Sequence, residues 1–399
     1  MSTRVWVAGI GVISAIGRNA TENFDALRSG RSGIGPLHHL STVHRDVFPC
    51  GEVNLSNMAL AELSGLDPQF PRTVFLSMIA AQEAFASSGL PEDSLAAAAF
   101  VSANTIGGMD RTEYYMQNLL TGTDIPRLED VKYHDGGAVT ALVASSLGIT
   151  QHIRTISTAC SSSANAIMHA ARMIKAGQVD LAIAGGADAL CRFTLNGFNT
   201  LMILDAAPCK PFDEERKGLN LGEGAGYLVL VSDRLKDKVN TVYAELTGYC
   251  NANDAFHQTA SSAEGTGSAL AMEGAMKMAG LPPAAIGYIN LHGTGTPNND
   301  LSEGTAITRL FGEYTPAISS TKSFTGHTLG ACGGIEAVYS TVAVQRGELF
   351  PSLRFSRAMK EFELVPVTAY DIQPELRHVM SNSFGFGGNC TSLIFSKAE

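Results

Sequence analysis

What this chain lacks narrows its chemistry first. None of its seven cysteines, at 50, 160, 191, 209, 250, 332 and 390, pairs in a Cys-x-x-Cys motif or falls at a zinc spacing. An odd, scattered set reads as reduced thiols in a cytoplasmic protein, not as a disulfide framework. Tryptophan occurs once, and charged residues make up only 17 %. Positive charge is in deficit: 28 Lys and Arg against 38 Asp and Glu leave a net −10. That balance argues against a general nucleic-acid binder, and an acidic partner must find a local basic patch. No apolar run reaches the about 18 residues of a membrane span. Met-Ser-Thr-Arg leads at once into strand-like Val5-Trp6-Val7, so neither membrane insertion nor a signal peptide is expected.

What remains is apolar and glycine-rich. Apolar residues reach 45 %, with 41 Gly. Over 399 residues that fits a compact α/β enzyme with many tight turns, expected to be an oligomer. Short apolar runs alternate with helical patterns. Strands are expected at 4–8, 98–103, 181–184, 227–231, 288–291, 379–382 and 392–396.

Cys160 stands out, in Ser157-Thr158-Ala159-Cys160-Ser161-Ser162-Ser163. A thiol flanked by tiny residues at a strand-to-helix junction is where a nucleophile is built. Free N–H groups at a helix start favour thiolate over thiol. The following helix carries an apolar stripe at Ala164, Ile167, Met168, Ala171 and Ile174 and stops at Lys175-Ala176-Gly177. A similar unit follows later: Gly330-Ala331-Cys332-Gly333-Gly334 opens a helix that stops at Gly347. Ser/Thr-rich approaches precede both, which points to a duplicated fold with two equivalent helices facing each other.

Three further segments are rich in small residues. Asn290-Leu291-His292-Gly293-Thr294-Gly295-Thr296-Pro297 delivers a His into a Gly/Thr loop. Glycines there allow close backbone approach, and hydroxyls can hold a polar arm. Ser320-Thr321-Lys322-Ser323-Phe324-Thr325-Gly326-His327 places Lys and His before the second Gly-rich helix. A Lys in apolar surroundings needs a partner. Asn382-Ser383-Phe384-Gly385-Phe386-Gly387-Gly388-Asn389 reads as an apolar turn able to gate a tunnel. Taken singly, each also fits an ordinary turn, a surface Lys or core aromatics.

Together with Gly9-Ile10-Gly11, Thr105-Ile106-Gly107-Gly108, Lys210-Pro211-Phe212-Asp213 and Leu221-Gly222-Glu223-Gly224-Ala225-Gly226, these segments carry a family resemblance. Over nearly its whole length the chain resembles the elongating β-ketoacyl-[acyl-carrier-protein] synthases of the thiolase superfamily. The resemblance implies a thiolase-like duplicated βαβαβαββ fold in five αβαβα layers, usually homodimeric. It implies an N-terminal half over 1–240 with the nucleophile and a C-terminal half over 241–399 with Lys and both His. It implies decarboxylative condensation of a malonyl thioester with an acyl group held on Cys160, in fatty-acid or polyketide and polyene synthesis. Acyl-carrier protein would be the partner and would bring the phosphopantetheine, so no cofactor of the chain's own is implied. Cys160, His292, His327 and Lys322 match the catalytic positions. The backbone N–H groups of Cys160 and Phe386 match the oxyanion hole. Thr294, Thr296, Ile106, Phe384 and Phe386 match substrate contacts, and Glu336, Asp254 and His257 supporting positions. Neutral imidazole N–H groups suit an enolate, because they donate without quenching it.

The chain departs from that pattern in two places. The stretch 60–72, where the family often carries a basic cluster for docking, offers only Arg72. The segment before Pro211-Phe212-Asp213 is short, leaving Arg192 and Lys210 as candidate basic contacts. Rival readings are a thiolase, which expects a second catalytic Cys; a non-elongating acyltransferase; a non-catalytic partner subunit, which lacks the nucleophile; and a cysteine hydrolase. A metal site is not expected, since His292 and His327 lack a third ligand. The other cysteines, Cys332 included, read as structural, with Phe193 and Phe198 near the acyl pocket.

Overall fold

The computed structural model describes residues 3–125 and 127–398. Its strands, in chain order, are β1 (Val5–Ser14), β2 (Ala99–Ala103), β3 (Ile153–Ile156), β4 (Leu181–Asp188), β5 (Gly224–Ser232), β6 (Ala244–Asn253), β7 (Tyr288–Asn290), β8 (Ala317–Ser319), β9 (Glu348–Leu349), β10 (Asp371–Ile372), β11 (His378–Phe384) and β12 (Asn389–Ser396). Strands β9 and β10 form a small separate ribbon; the other ten line up as β3-β2-β4-β5-β1-β6-β12-β11-β7-β8.

That order is a duplication. The first five strands run β3-β2-β4-β5-β1 from the outer edge inward. The second five run β8-β7-β11-β12-β6, the same pattern from the opposite edge. Pair by pair the directions match: β2/β3 and β7/β8 are parallel, as are β2/β4 and β7/β11, whereas β4/β5 and β11/β12 are antiparallel. Trp6↔Glu245 and Val7↔Ala244 join the halves across β1 and β6.

Two helices lie between the halves. Ser162–Lys175 packs on β4 and β12, and Cys332–Arg346 packs on β5 and β11. Helix Arg72–Ser88 covers the outer face at β1 and β5, and Thr266–Ala279 covers β6 and β12. The layers therefore run helix, sheet, helix, sheet, helix, the thiolase-like five-layer arrangement.

The two central helices end alike, at Gly177 (φ 68°) and Gly347 (φ 72°), and they touch. A Cβ on Gly333 would stand 3.0 Å from the Ala164 backbone nitrogen. Helix and strand approach as closely: a Cβ on Gly226 of β5 would meet Ile335 N at 2.3 Å. Such backbone contact needs a glycine on at least one side.

All seven expected strands form. β1 continues past Ala8 to Ser14, and the strand expected at 288–291 ends at Asn290. Strands β3, β6 and β8 were not marked by the apolar runs. β3 is a four-residue edge strand with an exposed Arg154, β8 has three residues, and β6 mixes Glu, Thr, Gly and Asn along a half-buried face.

Candidate active site

The chain leaves β3 at Ile156, turns through Ala159 in a left-handed conformation (φ 54°), and enters the helix at Ser162. Non-glycine residues reach this region at a cost, and such strain clusters at functional turns. Ser162 Oγ fixes the turn by accepting the Thr158 N–H at 2.7 Å and donating to the Ala159 carbonyl at 2.6 Å. Cys160 sits on this elbow, with Sγ 3.0 Å from His327 Nε2.

Burial changes what the helix start alone implies. The expectation of a resting thiolate is not met: burial pushes the Cys160 thiol up to about 11, against the Lys322 charge and the Phe386 and Cys160 N–H groups. Desolvation of a fully enclosed anion outweighs those donors.

His327 Nδ1 accepts the Leu329 N–H at 3.2 Å, so the neutral ring carries its proton on Nε2, facing the sulfur. His292 stands edge-on to it, with ring centroids 5.4 Å apart and planes at 85°. Burial and the Lys322 charge hold both imidazoles well below their ordinary value, so both are neutral N–H donors at physiological pH. Lys322 is 1 % exposed and bonds Glu336. Burial alone would lower its pKa, but the Glu336 carboxylate outweighs that and keeps the ammonium charged. The structure thus brings Cys160, His292, Lys322 and His327 together from three separate segments, with Glu336 behind them.

The expectation that a metal lacks a third ligand is corrected by the geometry. The Cys160 sulfur and a ring nitrogen of each histidine lie within 4.8 Å of one another. The donor chemistry nonetheless suits proton donation better than cation binding. Nε2 of His327 holds a proton while Nδ1 accepts from Leu329, and a buried ammonium shares the site.

Two cavities meet at the sulfur. One channel, lined by Ser261, Thr294, Thr296 and Asn298 together with Phe198, Ile203 and Leu219, reaches Cys160 and both histidines. Thr294 and Thr296 hydroxyls bond each other at 2.9 Å. On the other side lies an apolar cavity walled by Ile106, Met109, Phe193, Phe198 and Leu329. Phe386 lines both cavities and stacks on Phe198 at 5.8 Å, and Phe384 lies 5.9 Å from the His292 ring. A Cβ on Gly385 would come 3.1 Å from Cys160 N, so the 384–388 loop rests directly on the nucleophile elbow.

Other expected residues play different parts. Asp254 accepts the Ser262 N–H and hydroxyl and the Gly267 N–H, which fixes the loop whose residues 259–261 line the channel. His257 is exposed, accepts the Thr259 N–H and lies outside the channel wall. Arg72 offers no docking contact, because it is buried on Glu223 and on the Val53 and Leu55 carbonyls. Lys210 pairs with Glu215, and Arg192 with Gln117. Cys332 lies nearer the chemistry than a plain core thiol, with Sγ 3.2 Å from the Cys160 carbonyl.

Two buried acids escaped the sequence reading. Glu303 accepts the His292 and Gly293 N–H groups at 2.9 and 2.8 Å and Asn382 Nδ2 at 3.1 Å, so it sets the first histidine's loop. Burial raises it to about 7. Asp188, at the end of β4, gathers the N–H groups of Thr105, Ile106 and Gly330 and ties the apolar cavity to the second Gly-rich helix. The only advance signal was an acid just after Gly185-Gly186 and another one turn past Asp300.

Comparison with known proteins agrees with this geometry. The β-ketoacyl synthase N-terminal domain model matches residues 2–235 and the C-terminal domain model residues 243–356. The chain is 33 % identical to 3-oxoacyl-[acyl-carrier-protein] synthase 2 of Vibrio cholerae, over 99 % of each. It is 34 % identical to Nodulation protein E of Rhizobium meliloti, over 100 % of each. Among solved structures, the ishigamide ketosynthase/chain length factor superimposes with a TM-score of 0.93 at 29 % identity, over 100 % of each chain. With both domain models matched in order and a full-length relative above 30 % identity, the chain belongs to the β-ketoacyl synthase family of condensing enzymes.

Proposed function

We propose that this enzyme extends acyl chains held on acyl-carrier protein, with Cys160 as the acceptor of the growing chain. The observation that carries this reading is the placing of the Cys160 sulfur, 3.0 Å from His327 Nε2, where a channel bearing Thr and Ser hydroxyls meets an apolar-walled cavity. A phosphopantetheine arm suits the channel, with its amides on Thr294 and Thr296. The acyl chain suits the cavity beyond Phe386.

In the first half-reaction the Cys160 sulfur attacks the acyl thioester. The carbonyl oxygen becomes an oxyanion between the N–H groups of Cys160 and Phe386. The carrier thiol leaves and takes the proton that Cys160 loses, so atoms and charge balance. In the second, the malonyl thioester carbonyl accepts N–H bonds from His292 and His327. Carbon dioxide leaves, and the enolate carbon attacks the Cys160 thioester. The product is a 3-oxoacyl thioester two carbons longer, and the released sulfur takes one proton from solvent. Splitting transfer from condensation is covalent catalysis. Lys322 with Glu336 would fix the electrostatics of the pocket and keep both imidazoles neutral.

The 3-oxoacyl-[acyl-carrier-protein] synthase among the relatives supports the carrier as partner, and Nodulation protein E is consistent with a specialised pathway. All seven cysteines are free, which fits a reducing cytoplasm; among the described residues no helix is long and apolar enough to cross a membrane. A homodimer fits best, with a ketosynthase-like second chain as the alternative, since one similar structure is a ketosynthase/chain length factor. The deciding experiment is intact mass spectrometry after incubation with an acyl-carrier-protein thioester. The expected result is one acyl adduct, located on Cys160 by peptide mapping; an adduct elsewhere, or none, sinks the reading.

A further inference from the structure

The Gly385-Phe386-Gly387-Gly388 loop has little of its own to hold it. Gly387 and Gly388 both lie at φ 79°, and Phe386 is only half-buried. Its internal bonds are Gly385 N–H to the Asn389 carbonyl at 2.8 Å and Gly388 N–H to the Gly385 carbonyl at 3.1 Å. Its outer side is held by Gly387 N–H to the Gln258 carbonyl at 2.7 Å, Asp254 N–H to the Gly388 carbonyl at 2.8 Å and Asn253 Nδ2 to the Gly387 carbonyl at 3.0 Å. Asn389, the residue after the loop, does more than begin β12. Its Oδ1 lies 2.7 Å from Ser161 Oγ, 2.9 Å from Asn165 Nδ2 and 2.7 Å from Asn251 Nδ2. Thr391 completes the net, since its hydroxyl donates to Asn165 Oδ1 and accepts from Asn251 Nδ2, both at 2.8 Å.

The two ends of this net matter. Ser161 directly follows the nucleophile, and its hydroxyl also reaches the Thr158 carbonyl at 2.7 Å. Asn165 is one turn further into the same helix and holds Thr158 Oγ1 at 2.9 Å. One amide oxygen therefore fastens the elbow that carries the Cys160 N–H to the loop that carries the Phe386 N–H. We propose that Asn389 is a positioning residue that sets the spacing of the two oxyanion donors. This rests on the reading of those two N–H groups as the oxyanion hole.

The acceptor oxygen carries the link to the elbow: Asn389 Nδ2 adds only a 3.4 Å bond to Asn251 Oδ1, and Ser161 shares its one hydroxyl proton between Asn389 Oδ1 and the Thr158 carbonyl. Asn389→Asp keeps that oxygen, whereas Asn389→Leu keeps the volume and removes it. Single-turnover acylation of Cys160 by an acyl-carrier-protein thioester reads the oxyanion hole. Carbon dioxide release from malonyl-carrier protein reads the histidine pair, which the net does not touch. Losing an oxyanion donor outright costs about 100- to 1000-fold, so a misplaced one is expected to cost about 10- to 100-fold. Asn389→Leu should lose that much acylation and keep decarboxylation within about two-fold, and Asn389→Asp should restore acylation. Ser161→Ala removes the donor from the other side and should show the same split, which covers the case of a Leu variant that does not fold. The proposal is overturned if the Leu and Ala variants acylate at the parent rate, if both half-reactions fall together, or if Asp is as slow as Leu. A parent enzyme that never acylates would instead sink the reading beneath it.

Discussion

Cys160 sits where helix amides would lower its pKa and where enclosure raises it to about 11. The sign of the outcome is testable. Thiolate, not thiol, is the nucleophile, and a free cysteine titrates at roughly 8.5. Alkylation of Cys160 by iodoacetamide, followed by mass spectrometry, should keep rising about tenfold per pH unit from pH 8 to 10. A model peptide thiol should level off within that range, and a Cys160 profile that levels off near 7 would contradict the burial argument. A resting thiol also means that activation waits for a substrate. Cys160→Ala should leave the histidines intact, because their neutrality comes from burial and Lys322, not from the sulfur. Condensation should then fall by at least about 1000-fold, as when a covalent nucleophile is removed, while malonyl decarboxylation persists. Radiolabelled product and carbon dioxide release measure the two separately.

At the scale of elements, the site is four loops on the ends of strands, held in register by glycine contacts. Gly385 is the one that rests on the Cys160 turn, with a Cβ 3.1 Å from both Cys160 N and the Thr158 carbonyl. Gly385→Ala should push the Phe386 loop off the elbow and lower kcat about 10-fold or more with little change in melting temperature. Steady-state kinetics beside a thermal melt checks this. Gly334 is different, because it lies in the core. Its Cβ would stand 2.4 Å from the Gly226 carbonyl oxygen, backbone that cannot rotate away, so Gly334→Val should cost about 3 kcal/mol in urea unfolding. Chemistry-bearing loops were legible in the sequence because each is dense in small residues around a single reactive side chain. The duplication was legible in the two Gly-stopped helices, which do face each other. What stayed hidden depends on three-dimensional neighbours. Glu303 and Asp188 look like ordinary acids in the chain and become structural only where loop N–H groups converge on them. Arg72, the one basic residue of the stretch where the family docks its carrier, is buried on Glu223. β3 carries too little apolar sequence to announce itself, yet it forms the outer edge of the first half-sheet.

The whole molecule leaves one flank unfinished. Helix Met109–Thr121 exposes Tyr114, Met116, Leu119 and Leu120, the last at 79 %, and Ile125 and Leu128 continue the apolar surface. Exposed apolar side chains of this kind suit a partner's surface. It adjoins the chemistry, because Met109 at the helix start walls the apolar cavity with Ile106, and Phe193, 64 % exposed, forms the same rim. A partner seated on this helix would close that apolar cavity. Sedimentation of the chain alone should therefore give twice its 42.0 kDa mass. Leu119→Asp with Leu120→Asp places two desolvated charges in that interface and should return the chain to monomer mass. The monomer should still decarboxylate malonyl-carrier protein, since the histidines lie in the other channel, but should turn over long acyl primers at least about 10-fold more slowly than short ones. A parent chain that sediments as a monomer, and pairs only when a second ketosynthase-like chain is added, would replace the homodimer with a heterodimer. The same primer panel, run with and without that second chain, would then show which partner sets the depth of the cavity.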